Sequence, residues 1–287
     1  MPSAIRTRRF EWLTPKRSGS PPLYRGPLLE TCKHMRMRDN TVLITGGTSG
    51  IGRGLAEAFY QLGNQVIVTG RREDRLKEMS GRHPGMRYFV LDVTDAIAIQ
   101  QTARQVISEF PTVNCVFNNA GVQTRMSFAP GNILDHEAIQ SEIDTNLLGP
   151  IRVAAAFLPH LAAQSGATLI NVSSGLAFVP VERFPVYCAA KAAIHAWTLS
   201  LRAQLKNSGV EVVELVPPYV ATELGGSGRM APPSGSAINI MPLEAFVAEA
   251  MQGLESGADE VVVGDAKRLV AATSLENAKK VFSLINS

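Results

Sequence analysis

Thr41-Val42-Leu43-Ile44-Thr45-Gly46-Gly47-Thr48-Ser49-Gly50-Ile51-Gly52 is the stretch that decides the fold. Its first half is a short apolar run without alternation, the pattern of a strand buried on both faces of a sheet. Its second half is rich in glycine. Glycines let the backbone turn tightly and approach a pyrophosphate, whose charge then sits at the N-terminus of the helix that follows. That helix is expected to run through Leu62.

Working outward, short apolar strands alternate with helical stretches. Strands are expected at Gln65–Thr69, Tyr88–Leu91, Val113–Phe117, Thr168–Val172, Val210–Val216 and Glu260–Val263. Helices are expected at 72–80, 95–109, 135–145, 147–164, 187–207 and 242–255. This alternation predicts one doubly wound α/β domain of the Rossmann type, a parallel sheet with helices on both faces. No internal repeat and no second-domain boundary is visible.

The chain has 287 residues, 45% of them apolar and 18% charged, enough to bury a large core. No stretch approaches the length of a membrane-spanning helix. Three cysteines (Cys32, Cys115 and Cys188) make neither a disulfide framework nor a zinc site, which favours a reducing compartment and a cytoplasmic location. The five histidines show no metal-site spacing. Cys188 occupies a place that needs a small side chain, and His195 is expected on a helix surface or at a subunit contact.

The net charge of +3 is unevenly spread. Residues 1–38 hold nine Lys/Arg and two acids, a net of +7, and the rest of the chain has a net of −4. Nucleic acid is therefore not expected as a partner of the folded body. With five prolines and no periodicity, 1–38 is expected to be disordered, leaving 39–287 as the domain. Three explanations stay open for this tail: a transit peptide, a basic arm for an anionic surface, or translation from a start upstream of Met35 or Met37.

The chemistry centres on Tyr187 and Lys191. A free phenol with a pKa of about 10 is a poor proton donor or acceptor at neutral pH unless a neighbour stabilises its charged form. Residues four apart share a helix face, so the Lys191 ammonium lies beside Tyr187 and stabilises its phenolate. Ser174, thirteen residues earlier, closes a strand at the sheet edge where α/β folds place their ligands. Its hydroxyl can donate to a substrate oxygen. Ser173 is adjacent, and alternation lets only one of the two face the site; the family resemblance given next selects Ser174.

Taken together, Thr45-Gly46-x-x-x-Gly50-Ile51-Gly52, Leu91-Asp92-Val93, Asn118-Asn119-Ala120-Gly121, Asn146, Ser174 and Tyr187-x-x-x-Lys191 resemble the classical short-chain dehydrogenase/reductase family. The likeness extends from Thr41 into the 260s. Asn171-Val-Ser-Ser-Gly-Leu-Ala-Phe-Val-Pro and Val216-Pro-Pro-Tyr-Val resemble the branch linked to D-alanylation of teichoic acids. The resemblance implies a catalytic set of Asn146, Ser174, Tyr187 and Lys191, with Asn146 holding a relay water. It implies a nucleotide site of Gly46, Thr48, Ser49, Gly50, Ile51, Gly52, Asp92, Val93, Asn118, Ala120, Gly121, Tyr187, Lys191, Val220 and Thr222. Pro218 stands where the family commonly has glycine, a departure in the loop that carries Val220 and Thr222. A homodimer or homotetramer acting on a small carbonyl or alcohol substrate is also implied.

Counting from Gly46, the acid that would bind the ribose 2′-hydroxyl of NAD falls on Gly70. Arg71 and Arg72 follow, a positive fork suited to a 2′-phosphate, so NADP(H) is expected over NAD(H). Leu176–Val186 is mostly apolar and Gly225–Ile240 resembles a mobile lid, which suggests a hydrophobic or amphipathic substrate. The competing reading is a catalytically silent NADP(H)-binding regulator, disfavoured by the complete set of four.

Overall fold

The computed structural model describes residues 35–224 and 239–272. The chain divides into two units, Met1–Glu30 and Thr31–Ser287, and the first lies wholly outside the described residues. In the second, seven strands form one parallel sheet: β1 (Thr41–Thr45), β2 (Gln65–Gly70), β3 (Arg87–Val90), β4 (Val113–Asn118), β5 (Ala167–Val172), β6 (Val210–Val216) and β7 (Glu260–Val262). Their order is β3-β2-β1-β4-β5-β6-β7. The winding reverses between β1 and β4, and there the C-terminal strand ends leave the crevice in which such folds bind ligands.

Every residue of β1 is buried, which is why its sequence carries no alternation. Val42 and Ile44 face a core shared with Leu55 and Phe59 of α1 (Gly50–Gln61) and Phe246 of α7 (Leu243–Glu255). Leu43 faces the opposite core, with Val106 of α3 (Ala96–Glu109), Phe157 of α5 (Gly149–Leu161) and Leu201 of α6 (Pro185–Leu205). The first core also holds Leu76 of α2 (Glu73–Arg82). Only β3, at the sheet edge, is largely open to solvent.

Three departures from the sequence reading have physical causes. The two helices expected around Asn146 are joined: α4 (His136–Ile143) passes through a π-helical turn, Asp144–Leu148, directly into α5. A π-turn absorbs an extra residue without ending the helix, and such turns concentrate at functional sites. A short helix not foreseen, α8 (Ala266–Ala271), follows β7 across Gly264, whose φ of +51° suits the sharp change of direction. Last, the tail boundary at 38 moves. Met35 is 5% exposed within the first core, and Asn64 Nδ2 donates to Met37 O at 2.9 Å. Residues 35–38 thus belong to the domain; the rest of the expected disordered segment lies outside the described residues.

Candidate active site

Thr45 ties the sheet together at its switch point. Its hydroxyl donates to Phe117 O at 3.1 Å and accepts from the amides of Asn119 and Ala120 at 3.0 and 3.1 Å. Asn119 Nδ2 returns the contact by donating to Thr45 O at 2.8 Å. The glycine turn follows at once. Gly46 has φ +67°, and a Cβ there would lie 2.8 Å from Ala120 Cα. A Cβ on Gly52 would overlap both Gly46 O and Asn119 Nδ2. These glycines are required by close approach. Ser49 caps α1 without a side-chain hydrogen bond to the helix amides, and no acid occupies the first helical turn. Its free amides point positive partial charge at whatever occupies the crevice.

The turn floors a cleft of about 460 Å³. Thr48, Ser49, Gly50, Ile51 and Gly52 line it together with Gly46. Arg71, Asp92 and Val93 close one side, Ala120 and Gly121 the middle, and Ser174, Tyr187, Lys191, Val220 and Thr222 the far end. Despite Pro218, Val220 bridges to Met241 and lines the cleft. Thr222 packs on the glycine turn, 3.0 Å from where a Gly50 Cβ would be.

One residue expected at the nucleotide site, Asn118, stands elsewhere, while Asn146 stands near Lys191, its Oδ1 and the Lys191 Nζ both close to Gly121. Asn118 does not line the cleft: strand alternation turns its side chain to the other face, where Nδ2 donates to Pro150 O at 3.1 Å and to Asn171 Oδ1 at 2.9 Å. Its neighbour Asn119 lines the cleft instead. Asn146 is wholly buried, and both ends of its amide bind Val122: Oδ1 accepts from the amide at 3.0 Å, and Nδ2 donates to the carbonyl at 2.8 Å. One turn earlier, Glu142 accepts from the Thr124 amide. Burial raises the Glu142 carboxyl above the usual carboxylate range. Asn146 and Glu142 therefore clamp the 122–124 loop, a wall of the cleft. Ser173, set aside by alternation, also reaches the cleft, because the chain turns immediately after β5; its hydroxyl is buried without a hydrogen-bond partner.

Tyr187 and Lys191 lie on the buried face of α6, with Lys191 Nζ 5.7 Å from the Tyr187 ring centroid. Lys191 Nζ donates to Val172 O at 2.8 Å. Burial lowers its pKa to about 8, a shift opposed by the negative charge of Glu214. Ser174 begins the 3₁₀ turn Gly175–Ala177, and its hydroxyl accepts from the Leu176 amide at 3.1 Å, which fixes the side chain. Cys188 is buried and its thiol pushed up by that burial, which leaves it unreactive. Val179 and Val181 of the apolar 176–186 segment are buried in the protein, so part of the apolar character read as substrate-facing serves packing. The Met126 amide donates to Arg183 O at 3.1 Å, joining the two loops beside the site. Most of the presumed lid, 225–238, lies outside the described residues.

At the opposite end, Arg71 is exposed, 3.9 Å from Asp92 Oδ2. Arg72, Arg75 and Glu223 form a group that sequence reasoning did not single out as a unit. Arg75 donates to Glu223 Oε2 at 2.7 Å and Arg72 at 3.4 Å. The Arg75 hydrogen bond, with help from Arg72, holds the Glu223 carboxyl below the usual carboxylate range. The signal was legible in part, as three arginines within five residues at the end of the second strand.

A parallel sheet with its crevice at the switch point, a glycine turn beneath it and a Tyr–Lys pair at its far end define an oxidoreductase of the nucleotide-binding α/β class. Residues 40–231 match the model of the short chain dehydrogenase family, and the chain belongs to that family. It is an enzyme acting on CH–OH and C=O groups. It is 39% identical over 230 residues to the uncharacterized oxidoreductase DltE of Bacillus subtilis (strain 168), covering 79% of this chain and 89% of that one. It is 36% identical over 186 residues to sulfoacetaldehyde reductase 2 of Chromohalobacter salexigens, covering 63% and 73%. A short chain dehydrogenase from Burkholderia cenocepacia J2315, solved in complex with NADP, superposes with a TM-score of 0.74 at 27% identity, covering 88% of this chain and all of that one.

Proposed function

We propose that the chain interconverts a carbonyl and a secondary alcohol with NADP(H), with Tyr187 as the general acid and base. The observation that carries this reading is the buried Tyr187–Lys191 pair sharing one cleft with Ser174 and the glycine turn. The cleft fits a dinucleotide: Gly46 and Gly52 allow the turn to pack closely against Asn119 and Ala120 beneath it, and the open amides of α1 match a pyrophosphate. Gly46, Thr48, Ser49, Gly50, Ile51, Gly52, Asp92, Val93, Ala120, Gly121, Val220 and Thr222 would hold it. When bound, the nicotinamide supplies or accepts the hydride.

The chain's own groups manage the oxygen. Ser174 donates a hydrogen bond to the substrate oxygen as negative charge builds there. Tyr187 delivers the phenolic proton in reduction and takes it back in oxidation. The Lys191 ammonium stabilises the phenolate left behind and binds ribose hydroxyls. Asn146 and Glu142 hold the 122–124 wall in place around the reacting groups.

NADP(H) preference is supported by Gly70 where an acid would oppose a 2′-phosphate, and by Arg71 and Arg72 beside it. A homo-oligomeric, cytoplasmic enzyme is part of the same reading. Both cysteines among the described residues are free and buried, and no helix among those residues is long and apolar enough to cross a membrane. The test is NADPH oxidation with a panel of carbonyl compounds, aldehydes bearing a sulfonate included, because one relative is named for sulfoacetaldehyde. No turnover on any member by a chain that binds NADPH would reject the reading.

A further inference from the structure

Lys191 is 4% exposed, and its hydrogen bond goes to a neutral carbonyl, Val172 O. A buried ammonium without an anion nearby tends to give up its proton, which would remove the charge that Tyr187 needs. The fold places a carboxylate behind it. Glu214 is 0% exposed in the middle of β6. Its Oε2 accepts from His195 Nδ1 at 2.8 Å, while Oε1 is buried with no hydrogen-bond partner. His195 lies one turn beyond Lys191 on α6, so the two share the face turned toward β6. The histidine expected on a helix surface or at a subunit contact keeps 22% of its side chain exposed, while its Nδ1 turns to Glu214 and Phe178 covers the ring at 4.5 Å between centroids.

Glu214 belongs to a polar row running across four strands under α6. Asn118 pairs in register with Asn171, Asn171 with Glu214, and Glu214 with Glu260. The elements packed on β6 present it with few charges. From α6 come Lys191, His195 and Arg202; from β7 comes Glu260; β5 offers the neutral Asn171, bound to Thr198 Oγ1 at 2.9 Å. Arg202 is committed elsewhere, donating to Val212 O at 2.8 Å and Asp259 O at 2.7 Å, with Glu260 3.9 Å away. His195, Glu214 and Glu260 bring ligand atoms within 4.8 Å of one another, as a metal site would. Glu260 already has the Arg202 guanidinium 3.9 Å away.

We infer that Glu214, oriented by His195, is the counter-charge that keeps Lys191 protonated beneath Tyr187, and is therefore a positioning residue of the reaction site. The inference rests on the reading of Tyr187 and Lys191 as the proton-donating pair. Its physical basis is that a fixed negative charge in a low-dielectric interior acts on a neighbouring cation far more strongly than it would in water. His195 fixes one oxygen and leaves the other, Oε1, without a donor to neutralise it. That arrangement preserves the carboxylate's field for Lys191.

The test is a pH titration of the chain labelled with ¹³C-lysine, followed by NMR, the Lys191 resonance being assigned by its absence in Lys191→Met. Glu214→Gln keeps the shape and removes the charge. Its Lys191 midpoint should fall by at least about one pH unit, and the alkaline limb of kcat/KM for carbonyl reduction should fall with it. Glu214→Asp should restore part of the shift. His195→Ala should move the midpoint in the same direction by less, and carries the test should Glu214→Gln not fold. An unchanged Lys191 midpoint in folded Glu214→Gln, or in His195→Ala in its place, overturns the inference. The titration needs no turnover. A wild-type chain that reduces no carbonyl while Glu214→Gln still shifts Lys191 would overturn the proton-donor reading and leave the counter-charge standing.

Discussion

Arg72 Nη2 donates to Ser49 Oγ at 2.9 Å and to Thr48 Oγ1 at 3.3 Å, so the end of β2 is fastened to the glycine turn. The guanidinium sits at the N-terminal end of α2, where its charge opposes the helix dipole. Glu73 and Asp74 in the first turn and Glu223 across the cleft offset that cost. A 2′-phosphate arriving at this corner would meet Arg71 and Arg72 together, with Glu223 as the anion to be displaced from Arg72.

Arg71→Ala should weaken NADPH binding by roughly tenfold, the order of one charge-assisted hydrogen bond, and leave NADH binding nearly unchanged, whereas Arg72→Ala should weaken both because it also releases Thr48 and Ser49. Gly70→Asp should shift preference toward NADH. A Cβ at Gly70 would lie 3.1 Å from Thr48 Cγ2, a contact that a small movement of that side chain relieves. Calorimetric titration of both cofactors checks this, and equal wild-type affinities would reject the assignment.

Tyr187→Phe removes the transferable proton and little else. Turnover should drop by at least about a hundredfold, the usual scale of a general acid, with NADPH affinity retained. A variant that kept more than a tenth of wild-type activity would exclude Tyr187 as the acid.

Carbonyl reduction should decline as pH rises through about 8, where Lys191 loses its charge. Stability responds in the opposite sense. The folded pKa of Lys191 lies below its ordinary 10.5, so between about 8 and 10.5 the unfolded chain binds more protons. This group's contribution to stability therefore grows with pH across that window, and its burial penalty is fully present below it. Urea midpoints of the wild type should rise relative to Lys191→Met over the same range. Parallel curves would show that Lys191 titrates outside it.

Gly52→Ala should destabilise the domain by about 1–3 kcal/mol, the cost of overpacking, because the added methyl overlaps the Asn119 amide and the Gly46 carbonyl. NADPH binding should fail in parallel, since the same overlap deforms the turn. Thermal unfolding with and without NADPH measures both.

Met35→Ala should cost about 2 kcal/mol, at the low end for a buried methionine, because the side chain fills the first core at its margin. An unchanged urea midpoint would place Met35 outside the core.

The strands and the glycine turn were legible because burial on both faces leaves an unbroken apolar run, as in Val42-Leu43-Ile44. The Tyr187–Lys191 pair was legible because a four-residue spacing on a helix means one face. What stayed hidden depends on orientation or on partners distant in sequence. Asn118 and Asn119 are identical side chains on opposite faces, and only the strand's end determines which one meets the cleft. The π-turn at Asn146 has no local signature and looks like a helix break. The Glu214–His195 contact joins residues 19 apart through a strand and a helix, and its only trace in the sequence is an acid inside a buried strand. The Arg75–Glu223 bond spans 148 residues, and only its arginine side was visible, as the cluster after the second strand.

The Met126–Arg183 bond has an evolutionary consequence. Because it runs backbone to backbone, it tolerates side-chain exchange at both positions but resists insertion or deletion in either loop alone. Substrate range in this lineage should therefore drift by substitution within the paired loops, and change abruptly only when both are replaced together. Grafting both loops from a relative should transfer its preference, and grafting one should yield an enzyme with a disordered rim and neither parent's selectivity.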